Sequence, residues 1–275
     1  MKELKYNIKY LLKKKELYFM IIFLLLVVIA NVVLVSAETL SRIDDYKETI
    51  ETAEYLQIFS NFSSWLLCPI CILCIPIISS LVFCDISWLE KKGKIDYLLC
   101  NRLNYKKNIM IRFLLSIFGT FLLVFLALIL DYLCLVYLFG SGTKVDYSGG
   151  TAFNIYTSVK FLKELFYSNP FLHSVICNLH IALIFGLVTG LSYSLSFYFK
   201  QKVLIYFISP VFFLIMEVIF SSFSSIRNLS ILNQLQLIVG PLYNAFILYG
   251  SLFIASIILV LFYINKKDVS LWNMF

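Results

Sequence analysis

Three groups of residues in this sequence could do chemistry by type and spacing. Cys68, Cys71 and Cys74 recur every third residue in Cys-Pro-Ile-Cys-Ile-Leu-Cys. C-x-x-C spacing is common at metal sites. A closed zinc site needs four ligands, and no second Cys or His cluster of matching depth accompanies this run. It also lies in an apolar stretch, where free Cys acts as a small hydrophobe. Metal binding is therefore not favoured. Glu217 sits inside another apolar stretch. A carboxylate in such a place is costly and marks a functional site by default. The readings for it are a bundle interior or substrate path, a structural pairing with a Tyr or Ser of a neighbouring helix, or a carboxyl that stays protonated. Asp131 tells less, because it lies nearer the end of its stretch. His173 and His180 are two helical turns apart, too far to chelate one ion together, and read as structural. The sequence has no G-x-x-x-x-G-K-[ST] phosphate loop, no G-x-S-x-G elbow and no H-E-x-x-H pair. The chain is thus expected to carry no catalytic residue, metal or cofactor of its own.

The elements that position these residues are set by lipid. The chain is 275 residues long, 61% hydrophobic and only 14% charged. A soluble domain is about half apolar and about a quarter charged. A bilayer core about 30 Å thick needs roughly 20 apolar residues as helix. Six stretches qualify: Leu17 to Val35, Ser64 to Cys84, Phe113 to Phe139, Leu172 to Phe199, Val203 to Ser222 and Asn244 to Ile264. Backbone polar groups inside lipid must be satisfied within each segment, so helix is the practical form. The ten-residue alternation of a β-barrel is not seen. The expected fold is an all-α integral membrane protein with six transmembrane helices over 17–275. The first stretch is longer than a signal-peptide core and follows a basic segment, so it reads as an uncleaved anchor.

Charge placement gives the orientation. Lys2 to Lys15 precede the first span. Lys91, Lys92, Lys94, Arg102, Lys106, Lys107 and Arg112 follow the second. Lys200 and Lys202 follow the fourth, and Lys266 and Lys267 the sixth. By the positive-inside rule this side is the cytoplasm, and both termini lie there. The net charge of +7 is explained by these turns, and nucleic acid is not an expected partner. Of the seven cysteines, most fall in apolar stretches, which argues against a disulfide framework.

Residues 1–16 read as an amphipathic helix lying in the cytoplasmic membrane interface, with Leu4, Ile8, Leu11 and Leu12 on one face and Lys2, Lys5, Lys9 and Lys13 on another. The cytoplasmic loop 85–112 holds a second amphipathic pattern, Ile95, Leu98, Leu99 and Leu103, suited to a docking partner or to lipid headgroups. Outer loops are expected at 36–63, 140–171 and 223–243. The first is acidic, with a helical pattern from Ile43 to Phe59. The last is apolar and reads as a re-entrant segment before the sixth span. Asn169-Pro170 marks the start of the fourth span. Gly186 and Gly190, spaced G-x-x-x-G, would let another helix approach closely.

This order of elements resembles the type-2 (exporter) permease family of ABC transporters, in its small bacterial half-transporter form. The resemblance covers essentially the whole chain. Its most specific part is Glu90-Lys-Lys-Gly93-Lys-Ile-Asp-Tyr-Leu98-Leu99-Cys-Asn-Arg102, similar to that family's coupling-helix region, although Cys100-Asn101 stand where a small residue or Pro is common. The resemblance implies that Asp85, Trp88, Leu89, Glu90, Lys91, Gly93, Leu98, Leu99 and Arg102 couple to a separate cytoplasmic ATPase that holds ATP and Mg. It implies that Lys5, Lys9 and Lys13 belong to the interfacial helix, and that a second copy or a paired permease completes the pathway. Tyr193, Phe213 and Glu217 would line the substrate route. The expected function is ATP-driven export of a peptide, antibiotic or lipid-like substrate. The alternatives are a secondary transporter, whose inverted repeats are not evident here, and a membrane-embedded enzyme, for which polar groups at one depth are scarce.

Overall fold

A computed structural model of the chain describes residues 2–42, 67–85, 105–139, 162–199, 201–223, 229, 231–235 and 242–272. Among them every regular element is a helix: α1 (Lys2–Leu12), α2 (Lys15–Arg42), α3 (Leu67–Phe83), α4 (Tyr105–Phe139), α5 (Lys163–Ser168), α6 (Pro170–Ser196), α7 (Lys202–Ser222), α8 (Ile231–Leu235) and α9 (Leu242–Trp272). Five of these, α2, α4, α6, α7 and α9, are long and apolar enough to cross a membrane. The chain therefore has the build of a multi-pass membrane protein. The second expected span corresponds to α3, whose described part has 17 residues, or about 25 Å of helix.

Three helices outrun the expected spans by a turn or more. α2 continues past Val35 to Arg42, α4 begins at Tyr105 instead of Phe113, and α9 continues past Ile264 to Trp272. None of these extensions contains Gly or Pro, so nothing stops the helix where hydropathy falls. The α4 extension moves Lys106, Lys107, Asn108 and Arg112 out of the expected loop and into the helix. At the start of α6 the sequence signal is exact in kind: the Asn169 side chain accepts from Leu172 N at 3.0 Å, and Pro170 opens the helix.

α6 is the centre of the bundle. It packs against α3, α4, α5, α7, α8 and α9. Its span is 67% buried, against 18–33% for the other four. It is also the least apolar of the five. A helix enclosed by protein does not need a lipid-compatible surface, so it can carry small and hydroxylated residues. Thr189, Ser192 and Ser194 return their hydroxyls to carbonyls four residues back at 2.9 Å. A Cβ on Gly186 would come within 2.8 Å of the Ile117 carbonyl oxygen, and one on Gly190 within 2.5 Å of Ile117 Cγ1. These glycines let α4 lie directly against α6.

The outer helices divide their surfaces differently. On α2, Met20, Leu24 and Asn31 are buried, while Phe19, Ile22, Leu26, Ile29 and Val33 are exposed. α7 is the least buried span, and Val203, Phe207, Val211, Leu214 and Val218 form an exposed stripe on it. Apolar surfaces of this extent are not stable against water.

Cross-helix contacts fix the directions. Asn31 meets Asp131, Ser79 meets Thr189, and Lys14 reaches Val82. Tyr206 reaches Asp85, and Tyr198 reaches Leu259. α2, α4 and α7 consequently run one way, and α3, α6 and α9 the other. One end of the bundle gathers α1, the starts of α2, α4 and α7, and the ends of α3, α6 and α9. Nearly all described Lys and Arg lie at that end. Arg42 and Lys163 are the exceptions.

Candidate functional site

At the basic end, α1 is fastened to the bundle by polar residues. Glu3, Asn7 and Leu11 share one side of α1 by their spacing of four. Asn7 is buried there. Its amide nitrogen donates to Glu3 O at 2.8 Å and to Asn108 Oδ1 at 2.7 Å, and its oxygen accepts from Arg112 Nε at 2.8 Å. The amide thus uses both hydrogens and its oxygen. Asn108 and Arg112 are one turn apart on α4 and both buried. Beside them, Lys107 Nζ stands 3.9 Å from a Glu3 carboxylate oxygen. The Glu3 carboxyl is held below its ordinary value, first by its own backbone N–H and further by the Lys107 charge.

The turn after α1 makes a second attachment. Lys14 is buried between α1 and α2. Its ammonium donates to Val82 O at 2.9 Å, with Leu81 O at 3.4 Å. These are carbonyls at the end of α3, where a cation complements the helix dipole. The same ammonium lies 4.0 Å from Asp85 Oδ2. Tyr206 of α7 donates its hydroxyl to Asp85 Oδ1 at 3.0 Å. Asp85 is therefore held by the α1–α2 turn on one side and by α7 on the other.

These contacts have a consequence for the chain between them. The described chain stops at Asp85 and resumes at Tyr105, close in sequence to Lys107, Asn108 and Arg112. The described residues on either side of 86–104 are tied to α1 and its turn, through Lys14 on the Asp85 side and Asn7 on the Asn108 and Arg112 side. Of the expected coupling residues, Asp85 is in this brace. Trp88, Leu89, Glu90, Lys91, Gly93, Leu98, Leu99 and Arg102 lie outside the described residues, as does the Ile43 to Phe59 pattern. Lys5 and Lys9 are exposed on α1, and Lys13 is exposed in the turn that follows it. The expected apolar face of α1 is redistributed: Leu11 turns toward the bundle, while Leu4, Ile8 and Leu12 stay exposed.

A second set of polar groups lies toward the opposite end. Asn31 of α2 donates to both carboxylate oxygens of Asp131 of α4 at 3.1 and 3.0 Å, with both residues buried. The Asn31 side-chain oxygen has no partner among the described residues, and neither side-chain polar atom of Asn178 has one. His173 contacts Cys177 Sγ at 3.7 Å. His180 hydrogen-bonds Tyr249 of α9 through Nδ1, and its Nε2 meets Gln234 O of α8 at 3.1 Å. The apolar stretch 223–243 is described only in part. There α8 turns Ile231, Gln234 and Leu235 inward, the two apolar ones into the core, and His180 adds a hydrogen bond to it.

Of the three expected pathway residues, Tyr193 and Phe213 belong to one buried core, and Glu217 lies one turn beyond Phe213. Tyr193 is buried near the basic end of α6, edge-on to Phe197 at 5.1 Å. Phe213 is buried against Phe185 with ring centroids 6.3 Å apart. Glu217 is half-buried one turn further along α7, toward the opposite end. Cys71 is buried and Cys74 partly so. No group of three or more His, Cys, Asp or Glu side chains suited to a metal is found among the described residues.

Sequence reasoning counted Lys14 and Arg112 only as cytoplasmic charge and passed over Asn7, Asn31, Asn108 and Tyr206. The available signal was an amide interrupting an apolar pattern, as at Asn7 and Asn31. Comparison of the chain with protein-family models, curated proteins and solved structures finds no match.

Proposed function

We propose that this chain is the membrane-embedded permease subunit of an ATP-driven ABC exporter. In this reading a separate ATPase, holding ATP and Mg, docks from the cytoplasm against the segment following Asp85. A second permease, identical or paired, completes the pathway. The basic end of the bundle faces the cytoplasm, as its lysines favour, and α3 is the second of six spans. The substrate is a peptide, antibiotic or lipid-like molecule moving outward.

One observation carries the reading. A loop that transmits force must not move independently of the helices it drives, and the described residues on either side of 86–104 are joined to one another by polar contacts among α1, α3, α4 and α7. Buried polar networks are costly unless fully satisfied. A passive turn between two spans does not require one.

The test uses full-length chain purified from its native membrane in mild detergent. ATPase activity is expected to co-purify with it and to be absent from the chain alone. Deletion of Glu90 to Arg102 should remove that activity while helical content and monodispersity stay unchanged. ATPase that still co-purifies with the deletion variant overturns the docking assignment. Absence of any ATPase from the intact preparation overturns the class.

A further inference from the structure

α1 is built from a four-residue repeat whose stripes face different surroundings. Glu3, Asn7 and Leu11 meet the bundle. The next stripe around, Leu4, Ile8 and Leu12, is exposed at 42%, 41% and 57%. The stripe after that, Lys5 and Lys9, with Lys13 in the turn just beyond α1, is also exposed, and no described residue pairs with these lysines. Successive stripes are about 100° apart on a helix. The docked helix therefore offers the outside an apolar side and a cationic side at roughly a right angle.

We propose that this outer surface of α1 binds anionic phospholipid, with Leu4, Ile8 and Leu12 set among acyl chains and Lys5, Lys9 and Lys13 on the phosphates. Two observations choose lipid over an acidic protein. The apolar stripe lies at the head of α2, where the Tyr18 hydroxyl donates to Leu12 O at 3.0 Å. It is thereby continuous with the exposed face of α2 that begins at Tyr18 and Phe19. The buried Asn7 contact also fixes the rotation of α1, so the lysines hold one side without selection by a partner. A helix with one apolar and one basic side is the form that lies in a membrane interface. Each lysine near an anionic surface strengthens binding several-fold at physiological salt. The proposal concerns the outside of α1 and stands independently of any docked ATPase.

The test reconstitutes the full chain in nanodiscs of phosphatidylcholine with and without phosphatidylglycerol and follows amide hydrogen exchange of residues 2–12. Phosphatidylglycerol is expected to raise protection by about tenfold to a hundredfold, and added salt to reduce the gain. The variant K5Q/K9Q/K13Q should lose the gain, whereas K5R/K9R/K13R should keep it. Equal protection in the two discs, or an undiminished gain in the glutamine variant, overturns the proposal. A gain lost in both the glutamine and arginine variants would assign the effect to packing and overturn it as well. ATPase co-purification has no bearing on the readout.

Discussion

The two ends of the bundle use buried polar side chains in different ways. At the basic end, ammonium and guanidinium groups join helices to one another. Lys14 holds α3 and Asp85, and Arg112 holds Asn7. At the opposite end the contacts are made by an amide, an imidazole, a phenol hydroxyl and the Asp131 carboxyl. Asn31 meets Asp131, and His180 meets Tyr249 and Gln234. Some groups there stay without partners among the described residues, including both polar atoms of Asn178. Near an interface, water and headgroups help solvate any charge left over. Deeper among apolar side chains they do not, so groups that can remain neutral are the cheaper connectors. The difference shows where the fold depends on charge and where it depends on hydrogen-bond count.

The largest effect expected from this contrast is at Lys14. Lys14→Met removes the cation from two α3 carbonyls and from Asp85 while keeping the length of the side chain. Breaking a buried ion pair by deleting one partner costs about 3 kcal/mol or more. Thermal or denaturant unfolding of the chain in detergent should show that loss. The double variant K14M/D85L should recover a large part of it. A loss below about 1 kcal/mol, the range of an exposed pair, would mean that the basic end is held by apolar packing and that the contrast drawn above is wrong.

A smaller effect of opposite sign is expected at the other end. Asn31 already donates to Asp131, yet its own oxygen lacks a partner among the described residues. Asp131→Asn keeps an acceptor for Asn31 and adds a donor where that oxygen waits. A satisfied hydrogen bond contributes about 1 kcal/mol. The variant should therefore be as stable as the parent or about 1 kcal/mol more stable, by the same unfolding measurement. Destabilisation by several kcal/mol would show that the carboxylate charge itself is needed in the α2–α4 contact.

The asymmetry between the ends also separates what the sequence reveals from what it hides. Apolar runs report transfer into lipid, so α2, α4, α6, α7 and α9 are readable one segment at a time. The Asn169-Pro170 start of α6 is readable for the same reason: its capping contacts are local. The brace is not local. Asn7 and Asn108 are about a hundred positions apart, and Lys14 finds Asp85 across the whole of α2, α3 and the residues between them. Counting lysines assigns each a side of the membrane but not a partner. For Lys14 the side-of-membrane reading hides its contact with α3. Likewise, the spacing of His173 and His180 reads as structural, but nothing in it names Tyr249 or Gln234. Gly186 and Gly190 lie between these cases, because their spacing suggests close approach without saying that α4 is what approaches.

The smallest expected effect belongs to Glu3, at the rim of the basic end, and it tests whether charge there acts beyond the buried residues. Its carboxyl is held below the ordinary value of 4.5, first by its backbone N–H and further by Lys107. A group whose pKa is lowered by folding contributes stability above its unfolded value and loses it as pH falls through the folded value. Docking of α1 should therefore weaken on acidification below about the ordinary carboxylate range, with amide exchange of residues 2–12 as the measure. Glu3→Gln should flatten that part of the profile, and salt should diminish it because the pair is accessible to ions. The Asn7 contacts would persist throughout, so the change should be a graded loosening of α1 and not its release. An acid profile identical in parent and Glu3→Gln chains would assign the docking of α1 to Asn7 and Lys14 alone. The charged character of this end would then be confined to its buried contacts.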